Sequence, residues 1–372
     1  MAIDKQLNIA ILGTRGIPNH YGGFEECAEQ ISWRMVQRGH RVTVYSPKEN
    51  RYPENEWRGV QIRRVFCNED RLRIVGTFLF DYLCLRDVSK RDFDVVLELG
   101  YVPSAFFFRL KKKSHAVLIT NMDGMEWQRV KWNRFIKPFV RKCERNGVKY
   151  SDAMVADNLG IQNYLSNCYG NRSSFIPYGA KVLEDVSDEV LGEFHLEPLK
   201  YHMLVARLEP ENNIQMILDG ASKSSVQQPF LVIGNHETRY GNFLKKRYRD
   251  SGIIRFFGGI YDFKKLTGLR KHSRLYFHGH SVGGTNPSLL EAMASNARIC
   301  AHDNPFNRSV LEDDGAYFSL PDDVIRLIDS MNPDDRIWGE RIESNRKKLK
   351  GIYNWDYVTT QYLELFHSLL QE

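Results

Sequence analysis

The run HGHSVGGTNPSLLEAMA (His278–Ala294) brings together a glycine turn, a helix-capping pair, a proline and a carboxylate. It reads as a short strand, a loop and a helix. Asn286 or Thr285 suits the N-cap, where a side-chain oxygen takes a free backbone N–H, and Pro287 suits the first helical position, which needs no donor. Gly283 and Gly284 let backbone N–H groups approach a ligand, and the helix start adds partial positive charge. The expected guest is an anion, foremost a phosphate, held by the stretch from Gly283 through Ser288. Glu291, one turn into the same helix, is placed to accept hydrogen bonds from hydroxyl groups. A phosphate cradle beside a hydroxyl acceptor points to a nucleotide sugar.

Strands must carry these loops, and the chain supplies two sets of them. Leu7–Leu12 is an apolar run ending at Gly13-Thr14-Arg15-Gly16, and Phe24–Arg38 follows with apolar residues at helical spacing and Gly39 at its end. Arg41–Tyr45, Val95–Leu99, Ala116–Thr120 and Ala153–Ala156 continue the alternation, which is that of a parallel doubly wound α/β sheet. The rhythm breaks near Ile176–Ala180, and a polar, acidic stretch runs to about Pro198. A second set then follows at His202–Ala206, Pro229–Gly234, Ile254–Gly258, Leu275–Phe277 and Ala297–Ala301. The expected boundaries are residues 1–178, joined by a C-terminal helix over 354–372, and residues 179–353. Two such Rossmann-like domains are expected to face each other across a cleft, the favoured ligand site of α/β sheets.

A chain of 372 residues with 42% hydrophobic and 26% charged content suits two soluble domains. No apolar run approaches the roughly 20 residues needed to cross a bilayer, and no signal segment opens the chain. Six scattered cysteines without a CxxC pair argue against a disulfide framework or a zinc site, so a cytoplasmic location is expected. Residues 1–178 hold 28 Lys and Arg against 19 Asp and Glu, a balance of +9. The remainder holds 24 against 27, a balance of −3, and together these make the net +6. The basic first half suits anionic lipid, a pyrophosphate-bearing substrate, nucleic acid or a merely solvated surface. Dispersed basic residues without an aromatic platform exclude nucleic acid as the expected partner.

Other motifs carry less. Gly13-Thr14-Arg15-Gly16 fails the GxGxxG pattern at its second glycine and is no Walker loop. Gly22-Gly23, ahead of a helix, can still give close backbone approach to a phosphate. Asp92-Phe93-Asp94 spells a metal-chelating DxD, yet it leads straight into a strand and reads as an ordinary strand start. His278 and His280 alternate and point the same way. Without a third ligand they suggest packing or a ligand hydrogen bond, and no metal is expected. SAFFFRLKKK (Ser104–Lys113) reads either as a membrane-surface segment or as a core helix ending in a basic loop, the latter preferred.

Taken together, the motifs resemble those of GT-B fold glycosyltransferases of the large retaining family four, and are similar to bacterial cell-surface polysaccharide rhamnosyltransferases. The resemblance rests on GTRGIPNHYGGFEE (Gly13–Glu26), TNMDGMEWQRVKW (Thr120–Trp132), IPYGA (Ile176–Ala180), VARLEPENN (Val205–Asn213), HGHSVGGTNPSLLEAM (His278–Met293) and DNPFNRSVL (Asp303–Leu311). NWDYVTTQYLELF (Asn354–Phe366) resembles the helix that crosses back to the N-terminal domain in this fold. The resemblance implies that Arg207 binds the donor diphosphate with the Gly283–Ser288 loop, while Gly22-Gly23 approach it from the other side. Asn212 stands where the family has a lysine and is counted among the donor-binding residues, and Arg15 or Arg308 is expected to compensate for the missing charge. Glu291 matches the second of the family's two glutamates, the ribose contact, and Gly283 occupies the place of the first. Asp123 stands where many members carry a histidine near the reacting centre. Asp123 and Glu126 are expected to touch acceptor or sugar, and Asp123, Glu126 and Arg207 are the catalytic candidates.

The implied activity is transfer of a hexose or deoxyhexose, foremost rhamnose from dTDP-rhamnose, with a UDP-sugar as the other donor. The implied acceptor is a lipid-diphosphate-linked saccharide at the inner face of the cytoplasmic membrane, in capsule, O-antigen or other surface polysaccharide synthesis. No cofactor is implied beyond the nucleotide-sugar substrate. An epimerase, a hydrolase or a non-catalytic nucleotide-sugar-binding protein would share such sheets.

Overall fold

Strands covered on both faces need apolar side chains in succession, whereas edge strands tolerate polar alternation. A computed structural model of the chain shows both kinds. It describes residues 5–371 apart from 21, 68–73, 114, 123, 130–131, 183–188 and 333–335 (residues 74 and 110–113 by backbone alone). The chain divides into two units, Met1–Tyr178 with Trp355–Glu372, and Gly179–Asn354.

In the first unit the strands are β1 (Asn8–Leu12), β2 (Arg41–Pro47), β3 (Glu56–Trp57), β4 (Val60–Val65), β5 (Val95–Leu99), β6 (Val117–Met122), β7 (Ala153–Ala156) and β8 (Ser174–Phe175). Their order across the sheet is β3-β4-β2-β1-β5-β6-β7-β8. Among the described residues all pairings of this sheet are parallel except the β3–β4 hairpin, which departs from the all-parallel expectation. That hairpin and β4 escaped the sequence reading because β4 alternates buried and exposed residues at the sheet's margin, with Gln61 and Arg63 exposed. The chain winds outward to both sides from β1 and β5, which pair directly, Ile11 opposite Leu97 and Leu12 opposite Glu98. The loops after these two strands therefore flank the sheet's switch point.

The helix Trp355–Gln371 belongs to this same unit. Trp355, Val358, Thr359, Tyr362, Leu363 and Phe366 form its buried stripe at helical spacing. Tyr362 accepts a hydrogen bond at 2.9 Å from Asn121 at the end of β6, and Asp356 pairs with Arg34 of the helix Gly23–Gln37 at 3.3 Å. Ser104–Lys113 forms a 3₁₀ helix with Ala105 and Phe108 buried and Phe106 exposed.

The second unit's sheet has the order β11-β10-β9-β12-β13-β14. Its strands are β9 (His202–Val205), β10 (Phe230–Ile233), β11 (Ile254–Gly258), β12 (Leu275–His278), β13 (Ile299–His302) and β14 (Ala316–Phe318), all parallel. Leu204, Phe230, Val232, Leu275, Phe277 and Cys300 meet Ile217, Leu218, Val324 and Ile328 of flanking helices in one core. Here the switch point falls between β9 and β12, the strands that lead to Arg207 and to the glycine turn.

Candidate functional site

Each candidate loop of the second unit is fixed by its neighbour. Leaving β9 at Val205, the chain reaches Arg207, whose side chain is exposed and whose guanidinium meets no partner among the described residues. Its backbone is held firmly. Asn212, only 2% exposed, donates its side-chain N–H to the Arg207 carbonyl at 2.7 Å, and the Glu209 N–H donates to the same oxygen at 2.8 Å. Asn212 thus braces the arginine's own loop. Asn213 continues the brace across to the second loop, donating to the Gly279 carbonyl at 2.8 Å, and Ser281 donates through both N–H and Oγ to the Glu211 carbonyl. The two loops pass so closely that a Cβ on Gly279 would lie 2.0 Å from the Asn212 carbonyl oxygen.

The glycine turn follows, with Gly283 at φ +130°, a conformation that suits a residue without Cβ. The Gly283 and Gly284 N–H groups donate to nothing among the described residues. Asn286, not Thr285, is the cap: its Oδ1 accepts the Ser288 N–H at 2.9 Å, with Pro287 opening the helix Pro287–Ala294. Thr285 is buried. Ser288 Oγ lies 3.5 Å from the Val205 carbonyl, tying the helix start to the end of β9. A free cation, unpaired amides and a helix N-terminus thus gather beside one switch point, an arrangement suited to a diphosphate.

Behind the helix start lies a residue that sequence reading missed. Arg270, 1% exposed, donates through Nη2 to Glu291 Oε2 at 2.7 Å and approaches Ser288 Oγ at 3.3 Å. Tyr276 OH is 3.0 Å from the same Ser288 oxygen. In the sequence Arg270 is one of three basic residues ending the helix Phe263–His272, a common pattern opposite the helix dipole, and nothing local marks it as buried. His278 stacks on His280 with ring centres 5.2 Å apart, and burial together with Arg270 holds its pKa down to about 3. His278 is therefore a neutral, packed imidazole. Arg308 is engaged elsewhere, pairing with Asp303 at 2.6 and 2.8 Å and lying 4.0 Å over the Tyr317 ring.

In the first unit, the turn after β1 is held by carboxylates. The Arg15 N–H donates to Glu25 at 2.7 Å and the Asn19 N–H to Glu29 at 2.7 Å, while Asn50 donates to the Arg15 carbonyl. Gly22 is the N-cap of the helix Gly23–Gln37 and offers no side-chain bond. Glu126 begins a single 3₁₀ turn and is ion-paired with Arg129 three residues on. Tyr101 OH receives the Glu126 N–H at 3.1 Å and reaches Gly124 O and Glu144, a buried carboxylate also bound by Tyr164 and Tyr169. Asp123 lies outside the described residues. Asp94 accepts the Asn8 N–H at 2.7 Å and so acts as a strand-start cap. Among the described residues no group of three His, Cys, Asp or Glu is arranged to hold a metal ion.

Residues 6–181 match a domain family described as a domain of unknown function, DUF1972. No curated protein matches the sequence. Solved structures superpose over nearly the whole chain. Sucrose-phosphate synthase of Thermosynechococcus elongatus does so with a TM-score of 0.80 at 14% identity, covering 98% of this chain and 100% of its own. HepE of Anabaena, solved in complex with UDP-glucose, reaches 0.78 at 13% identity, with coverage of 98% and 100%. A glycosyltransferase of Rickettsia africae reaches 0.76 at 13% identity, covering 99% of each. Likeness at such identities is a likeness of fold, and the chain has the two-domain α/β architecture of these proteins, the GT-B fold.

Proposed function

We propose that this protein is a glycosyltransferase whose donor is a nucleoside-diphosphate sugar bound by the second unit. The observation that carries the reading is the convergence, at the β9–β12 switch point, of the unpartnered Arg207 guanidinium, the free Gly283 and Gly284 amides and the Asn286-capped helix. Glycosyl transfer requires stabilisation of the negative charge that grows on the leaving diphosphate. A cation carried on a braced backbone and the preorganised N–H donors of the turn supply that stabilisation without calling on a metal. Glu291, part-exposed with Oε1 unpartnered among the described residues, supplies the acceptor for ribose hydroxyls. HepE, of the same fold, was solved with UDP-glucose, which supports a nucleotide-sugar donor.

The finer assignment rests on the motif resemblance: rhamnose or a related hexose from a dTDP- or UDP-donor, transferred with retention to a lipid-diphosphate-linked saccharide. Gly22-Gly23 and Arg15 are assigned to the donor phosphates, Asp123 and Glu126 to sugar or acceptor. Peripheral contact with an anionic membrane is supported by exposed Phe106 (41%), with Lys142 5.6 Å from its ring centre, and Phe135 (76%), with Arg134 at 4.8 Å. No helix among the described residues is long and apolar enough to cross a membrane.

A thermal-shift panel of dTDP-, UDP- and GDP-sugars tests the donor, because a ligand of the folded state raises the melting temperature by mass action. The expected result is a shift with a dTDP- or UDP-sugar, followed by nucleotide release only when a saccharide acceptor is added. Turnover without acceptor would mean an epimerase or hydrolase instead. Binding without release under any acceptor would mean a sensor.

A further inference from the structure

The buried guanidinium of Arg270 is poorly used as a stability device. Among the described residues its buried Nε and Nη1 have no hydrogen-bond partner, and one nitrogen, Nη2, makes both of its polar contacts. A buried ion pair with donors left over adds little net stability, and apolar side chains of similar volume often do as well. What the arrangement does is restrict two other residues. Glu291 Oε2 is clamped at 2.7 Å, which leaves Oε1 without a partner among the described residues on a side chain one-third exposed. Ser288, three residues earlier on the same helix, is gripped by the same Nη2 and by Tyr276 OH, whose ring lies 5.7 Å from the guanidinium carbon. Ser288 in turn reaches the Val205 carbonyl, two residues before Arg207.

From this geometry we infer that Arg270 is a positioning residue of the donor site, setting the Glu291 carboxylate for the nucleoside's ribose hydroxyls before the ligand arrives. The inference rests on the donor-site reading above. A free glutamate must freeze its side-chain torsions on binding, and a clamped one has done so already, which strengthens binding without any new ligand contact. Arg270 itself touches no ligand in this account. Its effect must pass through Glu291, so the two residues are thermodynamically coupled.

The test is a double-mutant cycle on the full chain. UDP and dTDP, each beside its 2′,3′-dideoxy analogue, are titrated by calorimetry into the wild type, Arg270→Gln, Glu291→Gln and the double variant. The wild type should prefer whichever nucleotide it binds over its dideoxy analogue, which lacks both sugar hydroxyls of UDP and the single 3′-hydroxyl of dTDP. Arg270→Gln should weaken binding about tenfold, the worth of a charge-assisted hydrogen bond, and should remove most of that preference. The double variant should bind no worse than Glu291→Gln alone. Losses that multiply in the double variant, or an Arg270→Gln loss equal for nucleotide and analogue, would show a merely structural role. Should Arg270→Gln fail to fold, Arg270→Lys carries the test: it should give an intermediate preference, and an unchanged preference overturns the inference. A wild type that binds neither nucleotide removes the donor-site reading and this inference together. A wild-type ribose preference untouched at Arg270 removes the inference alone.

Discussion

Arg207 and Asn212 show how a departure from a familiar pattern is resolved at the scale of single residues. The asparagine is buried against the arginine's own carbonyl, so it fixes the backbone that carries the cation and adds no charge of its own. Arg207, exposed and without a partner among the described residues, contributes little to folding. Arg207→Ala is therefore expected to leave the melting temperature within a degree or two while cutting turnover by about 100-fold or more, as loss of a charge-stabilising donor does. Measuring both on one preparation decides it, and an Arg207→Ala enzyme of unimpaired rate would remove the assignment. Glu126 was legible as a carboxylate but not as a paired one. Its partner Arg129 sits at the i+3 position, a spacing open to inspection, though only the local turn shows that the two side chains meet.

Among the elements, the helix Pro287–Ala294 was the most legible, because caps, N-terminal prolines and preceding glycines express backbone preferences that act within a few residues. Two cap candidates were open, and tertiary placement chose Asn286 while burying Thr285. Asn286→Ala should lower stability by about 1 kcal/mol and weaken nucleotide binding together. Asn286→Asp should keep the cap and its stability yet weaken nucleoside-diphosphate binding more than it weakens nucleoside binding, because it sets a negative charge beside an anion site. Denaturant melts paired with calorimetry separate the two effects, and equal diphosphate affinity for Asp and Asn would place the anion elsewhere. Strands buried on both faces, such as β1, β5 and β10, were plain in the sequence as unbroken apolar runs. The short β14 and the alternating β4 were not, since three residues or a half-polar margin resemble any loop.

For the whole molecule, buried histidines give a pH signature. Burial in the second unit's core holds His202, packed against Phe230 and Phe277, down to about 3, and His278 likewise. Their unfolded forms take up a proton near 6.5, so above that pH their contribution to stability is constant. As pH falls from about 6.5 toward 3 the unfolded chain binds protons that the folded chain refuses, and stability drops. At pH 4 the loss is roughly 3 kcal/mol for each imidazole. Melting temperatures taken from pH 7.5 to 4 should fall steeply for the wild type and less steeply for His202→Phe. Parallel curves for the two proteins would refute this origin. The helix Trp355–Gln371 adds a second property of the whole chain. The chain's last helix completes the core of its first unit, through Tyr362 and its buried stripe.

The sequence alone determined the succession of strands and helices in two sets, the glycine turn and the capped helix. These are written in local steric preference and in apolar runs, and such signals act over a few residues. Only the tertiary structure decided that Arg270 grips Glu291 from 21 positions away, that Asn212 serves Arg207, and that Arg308 is already paired with Asp303. A polar side chain's partner depends on which elements the sheet brings side by side, and no run of neighbouring residues encodes that.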